Sequence, residues 1–198
     1  MVGGIALTAA SPAMGLSLII NATAAGWFGD DGTHNAANGN YLSGWDGTEE
    51  FRDFFLFDLS SVSGVVTAVT LRVNSGQVLT PDPSETIAFY EVTTPPADLQ
   101  VNQSGRTDIF ADLGDGAMYG SAVMASTLYY TNVDVPLNSA AVGAINGALG
   151  GMFGLGGTVT TLSKPPFDNE DVFANTSNLL SRQLVITDVG CTTAPLSR

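Results

Sequence analysis

The side chains best able to do chemistry in this chain are oxygen donors crowded into one stretch, Asp30-Asp31-Gly32-Thr33-His34-Asn35, continued by Asn38, Asn40, Asp46, Glu49 and Glu50. Hard cations such as Ca2+ take about six to eight oxygens from carboxylates, amides and backbone carbonyls, and a glycine-bearing loop can wrap these around an ion. Asp30, Asp31, Asn35, Asp46 and Glu49 are therefore the candidate metal ligands, with Ca2+ the ion that suits them. Their spacing is not that of an EF-hand, and Asp and Asn in such a stretch serve equally as solvated turn formers. Asp168-Asn169-Glu170-Asp171 and Asp82 with Glu85 form secondary groupings, read first as turns.

His34 is the only histidine. A Ser-His-Asp hydrolase would have to use it, and a histidine-rich zinc site cannot be built from it alone. No Gly-x-Ser-x-Gly elbow or phosphate-binding glycine loop accompanies it, so it reads as an exposed loop residue. A pair of carboxylates on separate strands could serve glycoside cleavage, but among 19 acidic residues a chance pair means little. Trp27, Tyr41 and Trp45 flank the acidic stretch. Trp45 with Tyr41 could offer an aromatic platform to a sugar face, whereas Trp27 falls in a strand and reads as core. Tyr129-Tyr130 offers a second, weaker platform, and Arg52 beside Asp53 suggests a paired polar feature of structural kind.

The elements that must position these groups centre on two runs. In Val65 to Val73, residues 65, 67, 69, 71 and 73 alternate with 66, 68, 70 and 72, the period of a strand with one buried face. Phe51 to Leu59 is denser: Phe51, Phe55, Phe57 and Leu59 share one face with Asp53, while Phe54 and Leu56 lie opposite with Arg52 and Asp58. A strand with aromatics on both faces belongs in the middle of a structure, covered on each side.

Further strands are expected at 17–28, 86–92, 118–124, 127–137, 153–162, 171–175 and 182–189. Residues 29–50 and 74–85 read as loops, and 97–101 and 107–113 as short helical turns. One short helix is expected at about 139–149, capped by Asn138 and stopped by Gly150-Gly151. Many short strands punctuated by Gly, Pro and Asn predict an all-β chain, a jelly-roll-like β-sandwich.

The run Phe54-Phe55-Leu56-Phe57-Asp58-Leu59-Ser60-Ser61-Val62-Ser63-Gly64-Val65-Val66-Thr67-Ala68-Val69-Thr70-Leu71 resembles a signature of short secreted bacterial proteins, many of which carry a PEP-CTERM sorting tail. It is more loosely similar to the DNRLRE type of jelly-roll module. Echoes of the secreted group recur at Ile20-Asn21-Ala22-Thr23, Pro81-Asp82-Pro83-Ser84-Glu85-Thr86, Glu91-Val92-Thr93-Thr94-Pro95 and Ile109-Phe110-Ala111-Asp112-Leu113-Gly114, so the likeness spans most of residues 18 to 188. The resemblance implies a jelly roll outside the cell. The closing residues, Thr187 to Arg198, hold no Pro-Glu-Pro motif.

Composition agrees with a folded domain. Six Lys and Arg against 19 Asp and Glu give a net charge of -13, which argues against nucleic acid and anionic membrane as partners, since both need a basic footprint. The single cysteine, Cys191, excludes an intrachain disulfide. Residues 1–17 are apolar and small, like the core of a secretory signal without its basic start, or an arm that adds as a strand to a neighbouring subunit. The expected organisation is thus a segment 1–17, one β-sandwich over 18–189, and a tail 190–198. The expected function is a secreted, non-enzymatic structural or adhesive protein of cell surface, matrix or filament, Ca2+-stabilised and self-associating. A carbohydrate-binding module partnered by extracellular polysaccharide is the alternative, and an acidic-site hydrolase or lyase the third.

Overall fold

The computed structural model describes residues 17–174 and 182–190. Residues 1–16 of the apolar segment, and all of the tail but Gly190, Cys191 included, lie outside the described residues. The first half of the chain supplies β1 (Leu18–Gly29), β2 (Tyr41–Trp45), β3 (Glu50–Asp58), β4 (Val65–Asn74), β5 (Gln77–Leu79), β6 (Ser84–Glu91) and α1 (Pro96–Leu99). The second half supplies α2 (Thr107–Asp115), β7 (Met118–Ala125), β8 (Asn132–Pro136), α3 (Ser139–Gly147), β9 (Met152–Val159), β10 (Glu170–Ala174) and β11 (Arg182–Gly190).

Every neighbouring strand pair is antiparallel. The sheet β1-β11-β4-β8 faces the sheet β3-β9-β6-β7, and with β2, β5 and β10 taken as additions this is the strand order of a jelly roll. Strand β1 closes one side of the sandwich by serving both sheets: Leu18 to Asn21 pair with β11, and after an irregularity between Ala22 and Ala24 the strand continues along β3 to Gly29. The chain is thus an all-β sandwich, as its punctuated strand pattern predicts.

The two faces of β3 explain its composition. Phe55, Phe57 and Leu59 point between the sheets, where they meet Val69, Leu71, Leu184 and Ile186 of the opposite sheet and Phe89 and Leu155 of their own. Phe54 and Leu56 point outward into a second core with Phe28, Leu99, Ile109 and Leu113, so α1 and α2 cover this face of the sheet. At about 25 cal/mol per Å2 of apolar surface removed from water, each such aromatic contributes a few kcal/mol only because both faces are roofed. Close approach of the roof requires a glycine: a Cβ at Gly156 would lie 2.5 Å from the carbonyl oxygen of Leu113.

The helix α3 begins at Asn138, whose Oδ1 accepts the amides of Ala140 (3.0 Å) and Ala141 (3.1 Å). It closes one end of the inner core with Ala141 and Ile145. Asn146 docks it on β4 by accepting the amide of Val66 (2.9 Å) and donating to the carbonyl of the same residue (2.8 Å).

Several elements differ from expectation. The 107–113 turn is a nine-residue helix, α2, because Ile109 and Leu113 find the outer face of β3 to bury against. The 29–50 and 74–85 loops contain β2 and β5, which lie on either side of β10 and are held by it. The expected strand 127–137 forms a ladder only as β8; its first residues turn, and Tyr129 makes an isolated antiparallel bridge to Gln77.

Candidate functional site

The primary acidic stretch folds as a set of turns. Asp31 accepts the amide (2.7 Å) and hydroxyl (2.9 Å) of Thr33, which hold its carboxyl below the usual range. Asp46 accepts the amide and hydroxyl of Thr48 and the amide of Glu49 through one oxygen; burial pushes its pKa up, but these hydrogen bonds outweigh it. Glu49 goes the other way, pushed up to about 7 by burial and then by the carboxylates of Asp31, Asp30 and Asp46. Asp30, Asp31 and Asp46 are therefore each brought within electrostatic reach of Glu49. Asn35 is engaged in its own turn, accepting the amide of Ala37 at 3.0 Å.

A tighter convergence forms from the secondary groupings. Asp82, Glu85 and Glu170 place carboxylate oxygens within 4.8 Å of one another. Glu85 at the start of β6 and Glu170 at the start of β10 are 1% and 0% exposed. Glu85 accepts the hydroxyls of Thr80 (2.6 Å) and Thr161. Glu170 accepts the amide (2.7 Å) and hydroxyl (2.5 Å) of Ser163 and the amide of Lys164 (2.7 Å). The ammonium of Lys164 turns to Glu50 instead, at 2.6 Å, so no cationic side chain neutralises the trio among these contacts. An ionised carboxylate offers about four lone-pair sites, so these hydrogen bonds leave positions for a hard cation. The residues just before Asp82 and Glu170, namely Leu79, Thr80, Pro81, Asp168 and Asn169, line an open hollow of about 440 Å3.

The remaining candidates move. His34 is not an exposed loop residue: it is 3% exposed, stacked on Phe28 (4.7 Å between centroids) and edge-on to Phe54, with its Nδ1 donating to the carbonyl of Trp27 at 2.7 Å. Burial lowers its pKa, so the imidazole is neutral at pH 7. Tyr41 cannot serve as a sugar platform, because its ring is 2% exposed and packs edge-on to Phe55 in the core. Trp45 is half-buried; its Nε1 donates to the carbonyl of Pro165 at 3.1 Å and the Lys164 ammonium stands 5.6 Å over its ring. Trp27 packs edge-on to Phe51. Tyr129 and Tyr130 are exposed, 66% and 57%, with rings edge to face.

Arg52 and Asp53 do not pair, since adjacent strand residues face opposite sides. Arg52 donates to the carbonyls of Phe110 and Ala111 in α2, both at 3.0 Å. Asp53 lies between the sheets, fully buried, with no hydrogen-bond partner for either carboxylate oxygen among the described residues; burial raises its pKa to about 8. Sequence reasoning assigned Asp53 to the right face but gave no signal that it stands alone there.

No helix among the described residues is long and apolar enough to cross a membrane. No family model and no curated protein matches the chain.

Proposed function

We propose that this chain is a secreted, non-enzymatic structural or adhesive β-sandwich of a cell surface, matrix or filament, stabilised by Ca2+ and associating with copies of itself through its apolar N-terminal residues. What carries this reading is the use to which the reactive side chains are put. The one histidine is a core residue, and the buried Glu85 and Glu170 are committed to hydroxyls and amides that tie the β5–β6 and β9–β10 connections together. Groups held in this way brace a scaffold rather than meet a substrate. Ca2+ bridging Asp82, Glu85 and Glu170 would relieve the repulsion of three clustered carboxylates. The resemblance to short secreted bacterial proteins and the charge of -13 support an extracellular setting.

The test is thermal unfolding and size exclusion with Ca2+ and with a chelator. The proposal expects a higher Tm with Ca2+, lost in Glu170→Gln, and a particle larger than one chain. A monomer indifferent to Ca2+ would overturn it. Carbohydrate binding stands as the second reading because Tyr129 and Tyr130 are exposed; glycan affinity abolished by Tyr129→Ala with the fold intact would favour it.

A further inference from the structure

Among the described residues, strand β7 is the outer edge of its sheet and pairs with β6 alone. Thr86 on β6 aims its carbonyl at Thr160 beyond β9, so Val123, opposite Thr86, turns its own amide and carbonyl away from β6. The same alternation turns out the backbone of Ser121, opposite Ala88. Nearby outward groups are already met: Asn138 bonds the carbonyls of Met118 and Tyr119, and Leu128 bonds the carbonyl of Ala125. Ser121 and Val123 have no such partner among the described residues. Natural edges of this kind are usually guarded by Lys, Pro or an inward charge. This one is not. From Ala117 to Val133 the chain carries no charged residue, and Val123 is 67% exposed.

Further uncharged stretches of this acidic chain are residues 135–163, already folded into α3 and β9, and residues 1–29. Of the latter, 1–16 precede β1, which starts at the margin of the sandwich opposite β8, whereas β7 flanks β8: a Cβ at Gly120 would lie 2.8 Å from the carbonyl of Pro136. The direct path from the start of β1 to its own β7 crosses the outer face of the first sheet, over the Arg72–Asp134 ion pair and the Gln183–Asn21 hydrogen bond. A neighbour's β7 requires no such crossing.

We propose that the free edge of β7 at Ser121 to Met124 accepts residues 1–16 of a second copy as an added strand, an inference that rests on the reading of a self-associating β-sandwich. Donor and acceptor are different surfaces on opposite margins, so the contact is heterologous and builds open head-to-tail rows rather than closed dimers. Absence of charge on both surfaces lets chains of net charge -13 approach there.

The test is amide exchange of the β7 peptide in the full chain, compared with a chain lacking residues 1–16, together with the mass of each by light scattering. The expected result is exchange at Ser121 and Val123 at least tenfold slower in the assembled full chain, with assembly lost on Ser121→Pro; Val123→Lys serves should the proline variant unfold. Assembly unchanged in the edge variants while the truncated chain is monomeric would overturn the acceptor assignment alone. Equal assembly of the truncated chain, or recovery of a native chain already lacking residues 1–16, would overturn the self-association reading with it. Slow exchange in a full-length monomer would show the segment pairing within its own chain and would likewise overturn the proposal.

Discussion

Glu85 and Glu170 reach one another within 4.8 Å from the starts of β6 and β10, each buried and each held by hydroxyls of the connection that leads to its strand. The relationship places two like charges inside one end of the sandwich, and its energetics depend on what neutralises them. Without metal, Glu85→Gln should raise the urea midpoint, since relief of the repulsion between clustered buried carboxylates outweighs the loss of one of the two oxygens that accept from Thr80 and Thr161. With millimolar Ca2+ the wild-type chain should gain several degrees of Tm and the variant none. A wild-type Tm insensitive to Ca2+ would remove the ion from this end of the fold.

Asp53 makes stability fall with rising pH. Its folded pKa of about 8 lies above the unfolded value of 3.8, so between these limits the folded chain holds a proton that the unfolded chain releases. The contribution is full below pH 4 and declines as pH rises to 8. Each pH unit in that window costs about 1.4 kcal/mol. Urea midpoints measured from pH 5 to 8 should therefore decrease, and Asp53→Asn should flatten the slope. An unaltered slope in the variant would assign the dependence to other groups.

Gly157 stands opposite Asp53 on β9, and a Cβ there would fall 2.1 Å from the Asp53 carboxylate. Gly157→Ala should cost roughly 3 kcal/mol through displacement of a buried side chain. Adding Asp53→Ala should recover at least about 1 kcal/mol, a coupling that a double-mutant cycle reads directly. Additive losses would mean that the two positions do not share this space.

Asn146 bonds both backbone groups of Val66. Asn146→Ala leaves them unpaired at a part-buried site, and a loss of about 1–3 kcal/mol in denaturant unfolding is expected. A change under a few tenths would show that water replaces the contact.

Glu49 should titrate near 7 by NMR, and Asp31→Asn should bring that value down by removing a neighbouring negative charge. An unchanged Glu49 titration would attribute the shift to burial and to Asp30 and Asp46.

What the sequence determined by itself was local and periodic. The two apolar faces of Phe51 to Leu59 required cover on both sides, and the sandwich and the α1–α2 roof supply it. Alternation in Val65 to Val73 marked β4, and Asn138 before an alanine-rich run marked α3. Tertiary structure decided everything that depends on partners distant in the chain. Strands β2 and β5 are too short to declare themselves; β10 lies between them and pairs with both, and β3 pairs with the end of β2 as well. Alternation puts Tyr41 on a face without saying that Phe55 and the opposite sheet seal that face, and His34 in a Gly-Asn loop gives no hint of the Phe28 and Phe54 rings that enclose it. The acidic residues show the same division. Asp30, Asp31 and Asp46 stood out because they are near in sequence, yet nearness in sequence mostly produces turns that each carboxylate caps alone. The three-carboxylate cluster of Asp82 and Glu85 with Glu170 joins two connections that only the pairing of long-range strands brings side by side, and no local spacing encodes it.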